Sequence, residues 1–292
     1  MMKTIKVLFA AILINLFSAQ TILANDGNTD AETLGATEIV DKPWTLDFAY
    51  TQADSIKALE QIDQHFRNTK PNLLERAEAL NNFYQKLMRE ERPVSILQIG
   101  DSHVAGREFP NAVKAVLQQR WDENDSNTAN GQIRYDYLAK NGATMIKFLT
   151  PERLSAIAEK KPDLVIISFG TNECHGMGYD EATHYKQLEI AFDSLIAVCP
   201  DADFLFTGPQ GAYLKYRPNP MTVRCASLLQ KFAADRNAAF WNIYEIAGGQ
   251  RALQNYMAQG LLRHDRVHFT PQGYQLQGEL LGKAIVNAFP NI

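Results

Sequence analysis

The sequence predicts an α/β domain built on a five-stranded parallel sheet with helices on both faces. Three observations carry this. From Pro93 onward, short apolar runs alternate with stretches of helical periodicity, the mark of strand–helix–strand units. Residues 164–169 (Leu-Val-Ile-Ile-Ser-Phe) are apolar on both faces, as a central strand of a parallel sheet must be. The apolar run at 94–99 stops abruptly at Gly100, Asp101, Ser102 and His103, as a buried strand does on reaching the surface.

Taken in order, residues 1–24 read as a signal peptide. Lys3 and Lys6 give a basic start, residues 7–17 are an apolar stretch too short to span a bilayer, and Ala24 puts a small residue before Asn25. An uncleaved anchor is the lesser alternative. No stable membrane insertion is expected after cleavage, and the mature chain is expected to be exported, periplasmic or secreted. Residues 25–50 are polar, acidic and aperiodic, a flexible leader. The domain itself covers residues 51–292 and opens with a helical pair at 51–92. Ile56, Leu59 and Phe66 mark one face, and Leu73, Ala77, Leu80, Tyr84 and Leu87 the next, with Lys70-Pro71 as the break.

Strands are then expected at 94–99, 133–138, 164–169, 204–207 and 239–243. Helices are expected between them at 110–121, with Pro110 at its first position, at 151–160 behind a Thr150 cap, at 181–197 and at 221–234. A last helix follows Thr270-Pro271 and runs to about residue 289. Loops fall at 122–131 and 208–220.

The net charge of -4 and a pI near 5.9, with no Lys/Arg cluster, exclude a nucleic-acid surface. Three cysteines do not make a disulfide framework. Cys199 and Cys225 fall on apolar helical faces as buried thiols, a bridge between them being the alternative. Cys174 and His175 after Glu173 lack the second spaced pair that a metal site needs. Gly282-Lys283 has no preceding glycine at phosphate-loop spacing.

In a parallel sheet, chemistry collects where strands deliver their carboxyl ends. Those positions are Gly100 to Ser102, the Asn141-Gly142-Ala143 turn, Gly170-Thr171-Asn172-Glu173, the loop after Gly208, and the segment from His264 to His268. A serine hydroxyl needs a base before it can attack. His268 is the candidate base, and Asp265, three residues earlier, is close enough to hold one ring nitrogen and fix the tautomer. Donors for a developing negative charge are the Ser102 N–H, the Gly142 N–H and the Asn172 side-chain amide.

Four ordered blocks, ending in Asp-Arg-Val-His-Phe-Thr-Pro-Gln-Gly-Tyr at 265–274, resemble the SGNH, or GDSL-type, hydrolase superfamily. The resemblance covers the domain after Pro93 and implies a three-layer, flavodoxin-like esterase fold. It further implies Ser102 as nucleophile, Asp265 and His268 as its partners, and an oxyanion hole of Ser102, Gly142 and Asn172. Gly-x-Ser-x-Gly is absent at Ser102, unlike the nucleophile elbow of α/β-hydrolases. His103 stands where leucine is usual. This is similar to the branch that includes bacterial peptidoglycan O-acetylesterases and other carbohydrate acetylesterases.

Bland alternatives stand beside these roles. Ser102 and Asn172 could be turn residues, Asp265 and His268 a structural ion pair, and Asp101 a shaper of the turn. His103 either steers substrate or is structural. Tyr213 and Tyr216 either stack on a sugar ring or pack within their loop. The expected activity is that of an exported serine esterase removing O-acetyl groups from peptidoglycan or another polysaccharide, with no metal or organic cofactor. Its rivals are a lysophospholipase-like lipid or short-chain ester hydrolase, an O-acetyl transferase, and a non-catalytic glycan-binding protein.

Overall fold

A computed structural model describes residue 66 and residues 69–89, 93–122 and 133–289. The stretches expected to be a signal peptide (1–24), a leader (25–50) and, Phe66 apart, the first helix of the N-terminal pair lie outside the described residues.

Five parallel strands form the main sheet: β1 (Val94–Gly100), β2 (Ile133–Ala139), β3 (Leu164–Ser168), β4 (Asp203–Thr207) and β7 (Ala239–Trp241), in the order β2-β1-β3-β4-β7. Two short strands, β5 (Tyr213–Leu214) and β6 (Arg217–Pro218), pair antiparallel within the 208–220 loop. The helices are α1 (Asn81–Arg89), α2 (Ser102–Ala105), α3 (Glu108–Trp121), α4 (Met145–Phe148), α5 (Pro151–Lys160), α6 (Thr171–Cys174), α7 (Glu181–Val198), α8 (Met221–Asp235), α9 (Ile243–Ile246), α10 (Ala252–Ala258) and α11 (Pro271–Asn287).

Alternation along the strands divides the core in two. Ile96, Leu164, Ile166, Leu205 and Trp241 face α1, α3 and α11. Leu97, Ile99, Val165, Ile167 and Phe206 face α5, α7 and α8. This is the three-layer arrangement expected of a parallel sheet apolar on both sides. Thr150 caps α5 by accepting from the Arg153 N–H at 3.4 Å, and Thr270 caps α11 by accepting from Gly273 at 3.2 Å.

Where the structure departs from expectation, the backbone explains it. The second N-terminal helix is shorter than its periodicity implied. Glu75 instead pairs antiparallel with Phe240, through bonds of 2.8 and 3.0 Å. Arg76 then turns left-handed (φ 55°), so regular helix starts only after the 3₁₀ turn at Ala77–Leu80. Leu73, placed on the buried face, is 59% exposed. Helix α3 begins two residues early, so Pro110 is its third residue, still within the turn where no N–H is required. The last strand stops at Trp241 because Asn242 caps α9, accepting from the Glu245 N–H at 3.3 Å.

Glycines set the approach of α11 to α3. A Cβ on Gly278 would lie 2.5 Å from the Phe109 carbonyl oxygen and 2.6 Å from Ala112 Cβ, and one on Gly282 2.7 Å from Val116 Cβ. Gly282 thus serves packing. Gly278→Ala is expected to destabilise the chain by about 1–3 kcal/mol, read as a lower denaturant midpoint with an unchanged m-value.

Candidate active site

Strand β1 lies between β2 and β3, so the loops leaving these three strands meet at one edge of the sheet. The first turns sharply at Gly100, where no side chain fits: a Cβ would sit 2.3 Å from Val104 Cγ2 and 2.9 Å from the Ser168 carbonyl oxygen. Asp101 caps α2, accepting from the His103 N–H at 2.9 Å. Ser102 is the first residue of that helix, where an N–H has no helical partner.

The segment expected to leave a strand with His268 does not follow one. It is a loop closed by an antiparallel bridge between Leu262 and Phe269, with Arg263 N–H donating to His268 O at 2.8 Å. Asp265 Oδ1 accepts from the backbone N–H groups of Val267 (2.9 Å) and His268 (2.8 Å), while Oδ2 lies 2.9 Å from His268 Nδ1. His268 Nε2 lies 3.0 Å from Ser102 Oγ. A carboxylate only accepts, so it holds the ring proton on Nδ1 and leaves Nε2 to accept from the serine hydroxyl. Partial burial works against a charge on Asp265, but the His268 and Val267 N–H groups and the His268 ring outweigh it, and the carboxyl titrates below its usual range. Such a chain of groups can withdraw the hydroxyl proton as the oxygen attacks.

Beside Ser102 stand the two other loops. Gly142 adopts φ +68°, a left-handed turn that glycine takes without strain. Among the described residues, no hydrogen bond uses the backbone N–H of Ser102 or of Gly142. Asn172 differs. Its Nδ2 donates to Asp101 Oδ2 at 3.1 Å and to Ala143 O at 3.0 Å, so a bound oxyanion would share one of those hydrogens.

A sequence profile of the GDSL-like lipase/acylhydrolase family matches residues 99–276. The chain belongs to that family. No functionally curated protein matches it in sequence. Solved structures that resemble this GDSL-family chain include a peptidoglycan O-acetylesterase (TM-score 0.62, 17% identity, covering 72% of this chain and 95% of that one). A lipase/acylhydrolase from Enterococcus faecalis is similar too (TM-score 0.51, 22% identity, 66% and 96% covered). So is an acetyl xylan esterase (TM-score 0.52, 17% identity, 65% and 99% covered). At these identities the likeness is one of fold.

Three further residues singled out in the sequence take distinct places in this GDSL-family chain. His103 is buried at 2% exposure, its Nδ1 3.0 Å from the Tyr274 hydroxyl and its ring centroid 5.4 Å from that of His268. It packs behind His268 rather than on an open surface. Burial, then the neighbouring His268, lowers its pKa to about 3, so the ring is neutral. Tyr213 is half-buried, donating its N–H to Arg266 O at 2.8 Å with the Arg266 guanidinium 5.1 Å from its ring. That contact ties the 208–220 loop to the His268 loop. Tyr216, at the tip of the β5–β6 hairpin, is 91% exposed.

The cysteines do not bridge: Cys174, Cys199 and Cys225 are free and buried, and the Cys225 thiol donates to Gly170 O at 3.5 Å. Among the described residues there is no metal-ligand cluster, and no helix is long and apolar enough to cross a membrane. A cleft of about 950 Å³ lies at the opposite, amino end of the sheet, near Lys86, Arg134 and Asp163, away from Ser102.

Two acids carry more of the site than the sequence suggested. Glu173 accepts backbone N–H bonds from Met145 and Gly170; an acid three residues after a helix-opening residue, placed to reach back to its N–H, is the one sequence signal that could have found it. Asp101 both shapes its turn, as expected, and holds Asn172. Burial raises the Asp101 pKa to about 7, partly offset by the His103 N–H and further raised by Glu173. The folded chain therefore keeps this proton up to about pH 7, whereas an unfolded aspartate releases it near 4. The folded state gains from Asp101 only at low pH, and that gain is lost as pH rises from about 4 to about 7 and stays lost above. Relative to Asp101→Asn, wild type is expected to lose on the order of a few kcal/mol over that window. Denaturant melts at stepped pH measure it, and parallel profiles for the two proteins would refute it.

Proposed function

We propose that this chain is an exported serine esterase that removes O-acetyl groups from peptidoglycan or another polysaccharide. The observation that carries the reading is the continuous contact from Ser102 Oγ to His268 Nε2 (3.0 Å) and from His268 Nδ1 to Asp265 Oδ2 (2.9 Å). In this mechanism His268 takes the Ser102 proton as Oγ attacks the acetyl carbonyl. The Ser102 and Gly142 N–H groups and the Asn172 amide receive the negative charge on the carbonyl oxygen. Collapse of the tetrahedral intermediate breaks the bond to the sugar oxygen and leaves an acetyl-serine, while protonated His268 donates to that oxygen so that it departs as a hydroxyl. Water, deprotonated by the same ring, then releases acetate and restores Ser102.

Support for an acetylated glycan comes from the Gly100-Asp101-Ser102-His103 block and from the fold's likeness to a peptidoglycan O-acetylesterase and an acetyl xylan esterase. Tyr216, exposed on a hairpin whose loop is tied to the His268 loop, gives a ring on which a sugar can stack. Export rests on the basic and apolar pattern of residues 1–24.

The experiment is acetate release from O-acetylated peptidoglycan, O-acetylated xylan and a long-chain ester by wild type and Ser102→Ala. Release from either glycan by wild type alone is the expected result. Preference for the long-chain ester would favour the lipid hydrolase. Acetyl appearing on an added oligosaccharide instead of as free acetate would favour the transferase.

A further inference from the structure

We propose that Glu173 is a positioning residue that holds the Gly142 loop and the Asn172 turn in the relative placement an oxyanion requires; this rests on the serine-esterase reading above. The need for such a residue follows from the topology. The two loops leave β2 and β3, which are not neighbours: β1 lies between them, so no ladder of sheet hydrogen bonds joins one to the other. Strands two places apart are separated by roughly 10 Å. A gap of that size leaves the donors on its two sides free to drift unless something spans it.

Glu173 spans it. One carboxylate oxygen, Oε1, accepts from the Met145 N–H at 2.7 Å, three residues beyond Gly142. The other, Oε2, accepts from the Gly170 N–H at 2.9 Å, at the turn that leads into Asn172. One rigid, planar group is thereby bonded to the backbone of both loops. Asn172 adds a second tie between the same loops through Ala143 O at 3.0 Å, and a third to the Ser102 turn through Asp101 at 3.1 Å. The carboxylate is enclosed, and burial raises its pKa. Space-filling alone is met by an uncharged side chain, so the acid's distinguishing feature is its pair of acceptor oxygens aimed at two N–H groups.

Glutamine keeps the size but offers a single acceptor oxygen, and its amide N–H₂ would confront one of the two backbone donors. Glu173→Gln is therefore expected to lower kcat about 10-fold, and Glu173→Ala about 100-fold, on a small acetyl ester, with KM changed less than about 3-fold. Stoichiometric labelling of Ser102 by a fluorophosphonate counts folded sites in each variant. If Glu173→Ala does not fold, Glu173→Gln carries the test.

The decisive comparison repeats Glu173→Gln in an Asn172→Ala background. An effect exerted through the placement of the oxyanion donors changes there by at least half its size in log units, because Asn172→Ala removes both a donor and the second tie between the loops, whereas a merely structural role gives the same loss in both backgrounds. A Glu173→Gln enzyme within twofold of wild type, or a loss unchanged by Asn172→Ala, overturns the proposal while leaving the esterase reading intact. A wild-type chain that neither turns over acetyl esters nor labels at Ser102 overturns both.

Discussion

Ser102→Ala will lower acetyl-ester turnover by about 10⁴–10⁶-fold while the protein folds as wild type. The size follows from what is removed. Without Oγ there is no acyl-enzyme, and His268 Nε2 loses the hydroxyl it faces at 3.0 Å. On the proposed mechanism the remaining rate is that of the oxyanion donors and of binding, which in such enzymes retain about 10³–10⁴ over water. Structure should barely respond, because the Ser102 side chain is half-buried and none of the contacts that shape its turn uses Oγ: Asp101 caps through His103, and Gly100 fits against Val104 by having no side chain. Steady-state assays with matched denaturant melts read both halves of the expectation. A variant that loses activity and stability together would leave Ser102 as a structural residue.

Asp265→Asn should lower kcat by about 10⁴-fold with little change in KM. Asparagine can still accept the Val267 and His268 backbone N–H bonds through Oδ1, so the loop keeps its shape. Its N–H₂ then faces His268 Nδ1, where the carboxylate Oδ2 stood at 2.9 Å. A donor at that place favours the tautomer with the proton on Nε2, and His268 then presents N–H to Ser102 Oγ instead of an acceptor. In the proposed mechanism Asp265 acts on the His268 ring and not on the ester, which is why the loss belongs to kcat. Steady-state kinetics on a soluble acetyl ester measure it. A loss confined to KM would assign Asp265 to binding instead.

Much of this was legible in the sequence because the signals are local. The two-faced apolar run of β3 places a central strand, and the Thr150 and Thr270 caps with the prolines after them fix the starts of α5 and α11. Ser102, Gly142 and Asn172 could be set at strand ends because a parallel sheet delivers its carboxyl ends to one edge. What escaped depends on contacts distant in sequence. The Glu75–Phe240 bridge shortened the second N-terminal helix, and nothing in either residue's neighbourhood marks it. The loop carrying His268 is shaped by the Leu262–Phe269 pairing rather than by a strand before it. His103 reads as a residue beside the nucleophile, yet its side chain turns inward to Tyr274, 171 positions away. Glu173 bonds Met145 across the width of β1, a relation that only the strand order reveals.

The central claim, that Ser102 is the nucleophile activated through His268, is tested most directly by reacting the purified chain with a fluorophosphonate and mapping the adduct by peptide mass spectrometry. One adduct per chain on Ser102 in wild type, and none in Ser102→Ala or His268→Ala on the same timescale, is the expected result. Absence of labelling in wild type, an adduct on another residue, or labelling of Ser102 at an undiminished rate in His268→Ala would contradict it.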